Sequence, residues 1–494
     1  MYIVIKLFFK IIASFLLLLG LLVAYIFIDF DDNSPPKKEQ PTIVNDITQL
    51  NPIEVTSVVQ PTSIKEIVEA IKSSSGPISI GGGRFSQGGQ NAYPDSIHLD
   101  MRAFNKVLAF DPTKKQVTVQ SGITWRDLQE VIDPENLSIK IMQTYANFTV
   151  GGSLSVNVHG RYIGEGPIIR SVESIKLIKA NGEIVNASPT ENSTLFYGAI
   201  GGYGGIAVIA EVTLNLVANV KVKRYTEKMS VQNYKAYFSD NIRHDQNVIF
   251  HNADIYPPNF TEIRSVSWLK TDDALTVEQR LIPKNKEYTW QPKVAEFVAD
   301  SNFGKWMRQY IMEPLLYSFD AVQWRNYEAS YDVYELEPSD RINQTYALRE
   351  YFIPIQNFDN FAVKMTGIFK KHKANIINVS IRHALPDNDS LLAWARTEVF
   401  AFVVYYRQET NEKAKEQVKL WSQEIIDAVI EENGAYYLPY QLHASTPQFM
   451  KAYPRANEYF ELKLQVDPDY RFRNKLWQQH YEANIEMHVD LTNE

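Results

Sequence analysis

The segment Gly81-Gly82-Gly83-Arg84-Phe85-Ser86-Gln87-Gly88-Gly89-Gln90 constrains this chain more than any other stretch. It follows the strand-like run Ile78-Ser79-Ile80. Glycines at this density leave the backbone amides bare. Without a Cβ the chain can take positive φ and close around an anion. A second glycine-led segment, Val150-Gly151-Gly152-Ser153-Leu154-Ser155-Val156-Asn157-Val158-His159-Gly160, comes about seventy residues later. Two such loops point to one extended ligand gripped at two places, and a dinucleotide with its diphosphate meets that description. The fold must therefore bring both segments to one cavity.

Three further motifs stand in order with these loops. Ser121-Gly122-Ile123-Thr124-Trp125-Arg126-Asp127-Leu128 gives a G-x-x-W-x-x-L pattern. The stretch from Ser174 to Val185 reads as strand, Asn181-Gly182 turn, strand. Phe196-Tyr197-Gly198-Ala199-Ile200-Gly201-Gly202-Tyr203-Gly204-Gly205-Ile206 is a third glycine-rich run. Together they resemble the FAD-linked oxidases of the vanillyl-alcohol oxidase / p-cresol methylhydroxylase type, over roughly Pro52 to Val217. Within that type the likeness is to aldonolactone and alditol oxidases and to decaprenylphosphoryl-ribose oxidase. The resemblance implies FAD as cofactor and an oxidoreductase acting on CH–OH groups. Gly202 to Ala207 also fits a nicotinamide-dinucleotide fingerprint. That motif needs a helix after it, and here a strand is expected instead.

The formal net charge of −8, with no basic cluster, argues against a nucleic-acid partner. The absence of cysteine excludes disulfides and thiol catalysis, and the nine histidines show no metal-ligand spacing, so no metal is expected. Ile11 to Ile28 is an apolar run of eighteen residues. As a helix it would span about 27 Å, close to a bilayer's hydrocarbon thickness. Lys6 and Lys10 precede it and Asp29, Asp31 and Asp32 follow. The positive-inside bias then predicts a single-pass anchor, with a cytoplasmic N-terminus and an extracytoplasmic body. A cleaved signal peptide is the rival, but no small-x-small site precedes Asp29.

The expected class is α+β. An anchor (residues 1–28) and a polar linker (29–50) precede a two-subdomain FAD-binding domain of the PCMH type (51–220). An antiparallel-sheet-and-helix cap (221–450) and a C-terminal segment returning to the FAD domain (451–494) complete the chain. Apolar Ile64, Ile67, Val68 and Ile71 predict a helix over 62–73, capped by Thr62 or Ser63. In the cap, two strand–helix–strand units are read over 351–381 and 399–438, and 220–350 shows only scattered aromatics and prolines. Tyr453-Pro454-Arg455 and Asp467-Pro468-Asp469-Tyr470-Arg471-Phe472 resemble the family's C-terminal signature.

The resemblance assigns cofactor contacts to Gly81, Gly82, Gly83, Arg84, Phe85, Ser86, Gln87 and Gly88. On the second loop it assigns Asn147, Thr149, Gly151, Gly152, Ser153, Asn157, His159 and Gly160, and further along Ile206 and Tyr437. Many relatives bond the flavin covalently through a histidine at the position Phe85 holds here. Phenylalanine lacks the nucleophilic nitrogen, so non-covalent FAD is expected. For the substrate, the family's E-x-R survives only as Arg382, after Ser380 and Ile381, and its lysine is replaced by Tyr440. Arg382 is the candidate cation beside the flavin, with Tyr440, Gln441 and His443 as candidate proton acceptors or relays. The expected substrate is a polyol, an aldonolactone or a related alcohol, with oxygen or a quinone as electron acceptor. Two alternatives stay open: the oxidase component of a lipid-linked sugar epimerase, and a catalytically degenerate flavin fold that only binds.

Overall fold

The computed structural model describes residues 42–284, 286–336 and 341–483. The expected anchor lies outside them. Among the described residues no helix is long and apolar enough to cross a membrane.

The first glycine loop leaves the end of a small parallel sheet, ordered Ser57–Val59, Ile97–Asp100, Ile78–Gly81. Helix Ile64–Lys72 joins the two outer strands and buries Ile67, Ala70 and Ile71 against them. Its N-cap is Ser63, whose side chain accepts from the Glu66 amide, so the 3.6-residue periodicity located this helix correctly. A six-stranded sheet follows. Its main path is Ile184–Ala187, Val172–Ile178, Val208–Ala218, Gln116–Gln120, Val107–Asp111, and Leu137–Ile139 pairs with the central Val208–Ala218. That central strand follows Gly202–Ala207 directly, which removes the helix a nicotinamide fingerprint requires.

A second, eight-stranded antiparallel sheet stands against this pair. Its order is Val322–Trp324, Lys221–Ser230, Glu262–Lys270, Val248–Ile255, Ile376–Ala384, Val399–Glu409, Gln344–Pro354, Ala435–Tyr436. Helices Phe358–His372 and Glu412–Glu431 pack on one face, through Phe361, Met365, Trp421 and Ile425. The two strand–helix–strand units lie where the sequence put them, though the last strand is only Ala435–Tyr436. Three long strands between 221 and 270 escaped the sequence reading. Lys221–Ser230 carries seven charged, serine or threonine side chains in ten residues (Lys221, Lys223, Arg224, Thr226, Glu227, Lys228 and Ser230), which masks the alternation that marks a half-buried strand.

The C-terminal segment ties the parts together. Lys463 is fully buried and its ammonium donates to Gly205 O (2.5 Å), Phe472 O (2.9 Å) and Asp467 (3.0 Å). Ile78 N donates to Arg471 O, and Arg473 N to Ile78 O, so residues 471–473 run alongside the strand that leads into the first loop. Gly205 has no room for a side chain. A Cβ there would sit 2.3 Å from the Tyr459 hydroxyl and 2.4 Å from Trp477 Nε1.

Burial holds His98, His251 and His480 neutral, as it does His443. His98 and His251 are pushed down to about 3 and His480 to about 4, in each case chiefly by burial. In the unfolded chain each takes up a proton near its ordinary value of 6.5. The unfolded state therefore binds more protons below that value, and folding stability falls as pH drops from about 6.5 towards 4. The slope is roughly 1.4 kcal/mol per pH unit for each histidine. Urea unfolding at pH 7.5, 6 and 5 checks this: the midpoint should fall steadily, and a flat profile would show these histidines are not held neutral.

Candidate active site

A cavity of about 970 Å³ lies between the glycine loops and the eight-stranded sheet. Both loops line it, as the sequence required. Gly81, Gly82, Gly83, Arg84, Phe85, Ser86 and Gln87 come from the first, and Thr149, Gly151, Gly152 and His159 from the second. The loops meet at Gly82, where a Cβ would be 2.2 Å from Thr149 Oγ1. Thr149 also caps the short helix Val150–Ser155, its hydroxyl accepting from the Gly152 amide. Arg84 adopts positive φ (60°) and donates to Asp100 at 3.1 Å. Burial alone would raise the Asp100 carboxyl, but Arg102 and Arg84 outweigh it and hold it at about 2. Phe85 faces the cavity and packs on Phe148, ring centroids 4.3 Å apart.

Strand alternation supplies the opposite wall. Side chains two residues apart share a face, so Asn378, Ser380 and Arg382 point into the cavity, as do Asn252 and Asp254, and Tyr346, Leu348 and Glu350. Glu350 is the centre of this wall. Its Oε2 lies 2.6 Å from His159 Nε2, and its Oε1 accepts from the Tyr440 hydroxyl. His159 Nδ1 contacts Gly160 O at 3.2 Å. Burial pushes the Glu350 carboxyl up, but His159, Arg382 and the Tyr440 hydrogen bond outweigh it, so it stays below the usual carboxylate range. The Tyr440 hydroxyl is raised well above its ordinary value, by burial first and then by Glu350. Burial lowers the Arg382 guanidinium, against the opposing pull of Glu350. Tyr437 also faces the cavity and donates to Val156 O at 2.9 Å. Further along, Asn378 Nδ2 donates to Asp254 at 2.7 Å, with Arg308 nearby, and burial raises the Asp254 carboxyl.

Eight of the expected site residues lie off the cavity wall. Asn147 is one: its Oδ1 accepts from the Val333 amide at 2.9 Å. His443 sits on the helix side of the sheet, where its Nδ1 accepts from Arg349. Arg349 and Glu350 are neighbours on one strand and must face opposite ways, so a group paired with Arg349 is walled off from the cavity. Gln441 donates to Gln87 O and pins one loop to another. Gly88 backs onto Tyr440 O, where a Cβ would be 2.4 Å away. The Ser153 hydroxyl is bound up with Gln143 and Trp125. Asn157 turns away with φ of 48° and donates to Asp387 at 2.8 Å. Gly160 packs on Met142 O and Ile206 is core. The reading missed Glu350. The family's E-x-R places the carboxylate two residues before the arginine, whereas here it comes from another strand and no local spacing announces it.

Residues 55–188 match the family described as "FAD binding domain". The L-gulonolactone oxidase of Bos taurus is 31% identical over 170 residues, 34% of this chain and 38% of that protein. The mitochondrial L-galactono-1,4-lactone dehydrogenase of Arabidopsis thaliana is 32% identical over 137 residues, 28% of this chain and 22% of the relative. The decaprenylphosphoryl-beta-D-ribose oxidase of Mycolicibacterium smegmatis is 28% identical over 170 residues, 33% of this chain and 36% of the relative. These alignments span well under half the length of each relative. Residues 55–188 are thus an FAD-binding domain, and both glycine loops fall within them.

The cavity suits that cofactor. Its lining includes Ser121 Oγ, Asn91 Nδ2, Thr144 Oγ1 and Arg382 Nε, buried atoms with no hydrogen-bond partner among the described residues. Buried polar atoms of this kind require a partner, and a polar ligand spanning the cavity would supply it. Phe85 offers no atom for a covalent bond to the cofactor. On acid precipitation of the holoprotein the yellow colour should pass to the supernatant, and colour retained in the pellet would contradict a dissociable flavin.

Proposed function

We propose that this chain is an FAD-dependent oxidoreductase that oxidises a hydroxyl group of a sugar-like substrate, a polyol, an aldonolactone or a related alcohol. One observation carries the reading: the Tyr440–Glu350–His159 chain with Arg382 lines the same cavity as the two glycine loops. The relatives named above are, by name, oxidases or dehydrogenases of lactones and of a ribose derivative, which supports the same class. We also assign the run Ile11–Ile28 to a membrane anchor with the body outside.

Bound FAD supplies the acceptor for the hydride leaving the substrate carbon. The chain's own residues manage the proton. Tyr440 Oη already gives its hydrogen to Glu350, so its lone pair is free to accept the substrate hydroxyl proton. As that proton arrives, the tyrosine's own proton passes to Glu350 Oε1, and no tyrosinate is left behind. His159 holds the carboxylate in place from its other oxygen. Arg382 sets a fixed positive charge where negative charge develops, and in a buried site such a charge needs no reorganisation.

Tyr440→Phe should retain the flavin spectrum but lower kcat by about 100- to 1000-fold, within the range for lost acid–base catalysis. Glu350→Gln should do at least as much. The carboxylate must be ionised to take the proton, and its depressed value keeps it so into mildly acidic solution. The acid limb of kcat/KM should therefore lie below the ordinary glutamate value and disappear in Glu350→Gln. Anaerobic bleaching of the flavin by a panel of alditols, aldonolactones and lipid-linked sugars tests the class. Flavin that none of them reduces would overturn the reading.

A further inference from the structure

The outer end of the cavity differs from its polar floor. Trp290, Leu315, Leu316 and Phe319 all line it, yet they are 51%, 63%, 57% and 66% exposed. Four large apolar side chains that line one cavity and stay exposed to solvent are the kind of feature that marks an interaction surface. The exposure is built in. Arg224 donates to Leu316 O (3.1 Å) and Phe319 O (2.8 Å), with its guanidinium 4.9 Å from the Tyr317 ring, so these residues are fastened in their outward position. A small hydroxylated substrate gains nothing from such a rim.

We propose that this rim docks onto the surface of a lipid bilayer, so that the cavity opens against the membrane rather than into bulk water. The path of the chain supports this occupant. Ile47, close to where the described chain begins at Thr42, lines the same cavity, and the next residue, Thr48, accepts from the Thr345 hydroxyl through its carbonyl (2.9 Å). Fourteen residue steps separate Ile28, the end of the apolar run, from Thr42. Fully extended they reach at most about 50 Å. A bilayer holding Ile11–Ile28 therefore lies within about 50 Å of Thr42, where the described chain begins. An aperture of Trp, Leu and Phe has the composition of surfaces that sink into the headgroup–acyl boundary. Each buried apolar side chain then gains on insertion what it loses in water.

The chain lacks cysteine, so a single introduced thiol can be labelled without background. The test uses the full chain with Leu316→Cys carrying bimane, reconstituted in phosphatidylcholine–phosphatidylglycerol vesicles containing doxyl-labelled lipid. Leu420→Cys is the control, on the Glu412–Glu431 helix and 51% exposed. Emission at 316 should be quenched several-fold more than at 420. Pairing Leu316→Cys with Leu315→Ser and Phe319→Ser should remove the difference while the flavin absorbance persists. Equal quenching at the two sites would overturn the proposal. So would quenching at 316 that follows protein concentration rather than doxyl content, the mark of a second copy on the rim. A chain that fails to float with the vesicles would overturn it together with the anchor. Flavin bleaching in the same sample reads the oxidoreductase separately, so the two readings can fail independently.

Discussion

The contact between Gly82 and Thr149 is the constraint on which the rest depends. Two loops some seventy residues apart close to within a distance that excludes even a methyl group. That contact joins the two loops where they line the cavity. The parallel sheet delivers one loop, and the short helix Val150–Ser155 delivers the other. Lys463, bonded to Gly205 O and Phe472 O, holds the third glycine turn and the C-terminal return in register with them. A lysine fully buried for this purpose is an expensive fastening, and it explains why the last forty described residues cannot be regarded as an appendage.

Much of the FAD-binding half was legible in the sequence because its signals are local. Glycine clusters, a capped amphipathic helix over 64–72 and an Asn-Gly hairpin each declare themselves within a dozen residues. The cap was only half legible. Helices Phe358–His372 and Glu412–Glu431 have clear apolar stripes, but the strand Lys221–Ser230 has one face towards water and a run of charges along it. Its place is set by pairing with Glu262–Lys270, a partner that no local pattern reveals.

The site divides in the same way. Residues 81–87 and Thr149, Gly151 and Gly152 could be named because the motif is continuous. Glu350 could not, since it reaches His159 across 191 positions and Tyr440 across 90. The loss of a glutamate beside Arg382 suggested a degenerate site when only the sequence was considered. The structure supplies a carboxylate from the strand two places away in the sheet. His443 is the opposite case: it lies three residues from Tyr440, but the backbone turns between them and delivers it to Arg349 on the far side of the sheet.

Phe85 has a consequence for how such a protein exists in a cell. Where the family resemblance places a flavin-linking histidine, this chain has an aromatic ring packed on Phe148. If the flavin leaves on acid precipitation, its occupancy obeys mass action. A ligand held a hundredfold above its dissociation constant adds about 2.7 kcal/mol to the folded state, and that increment vanishes when the ligand runs short. The stability of a dissociable holoprotein would thereby track the flavin supply.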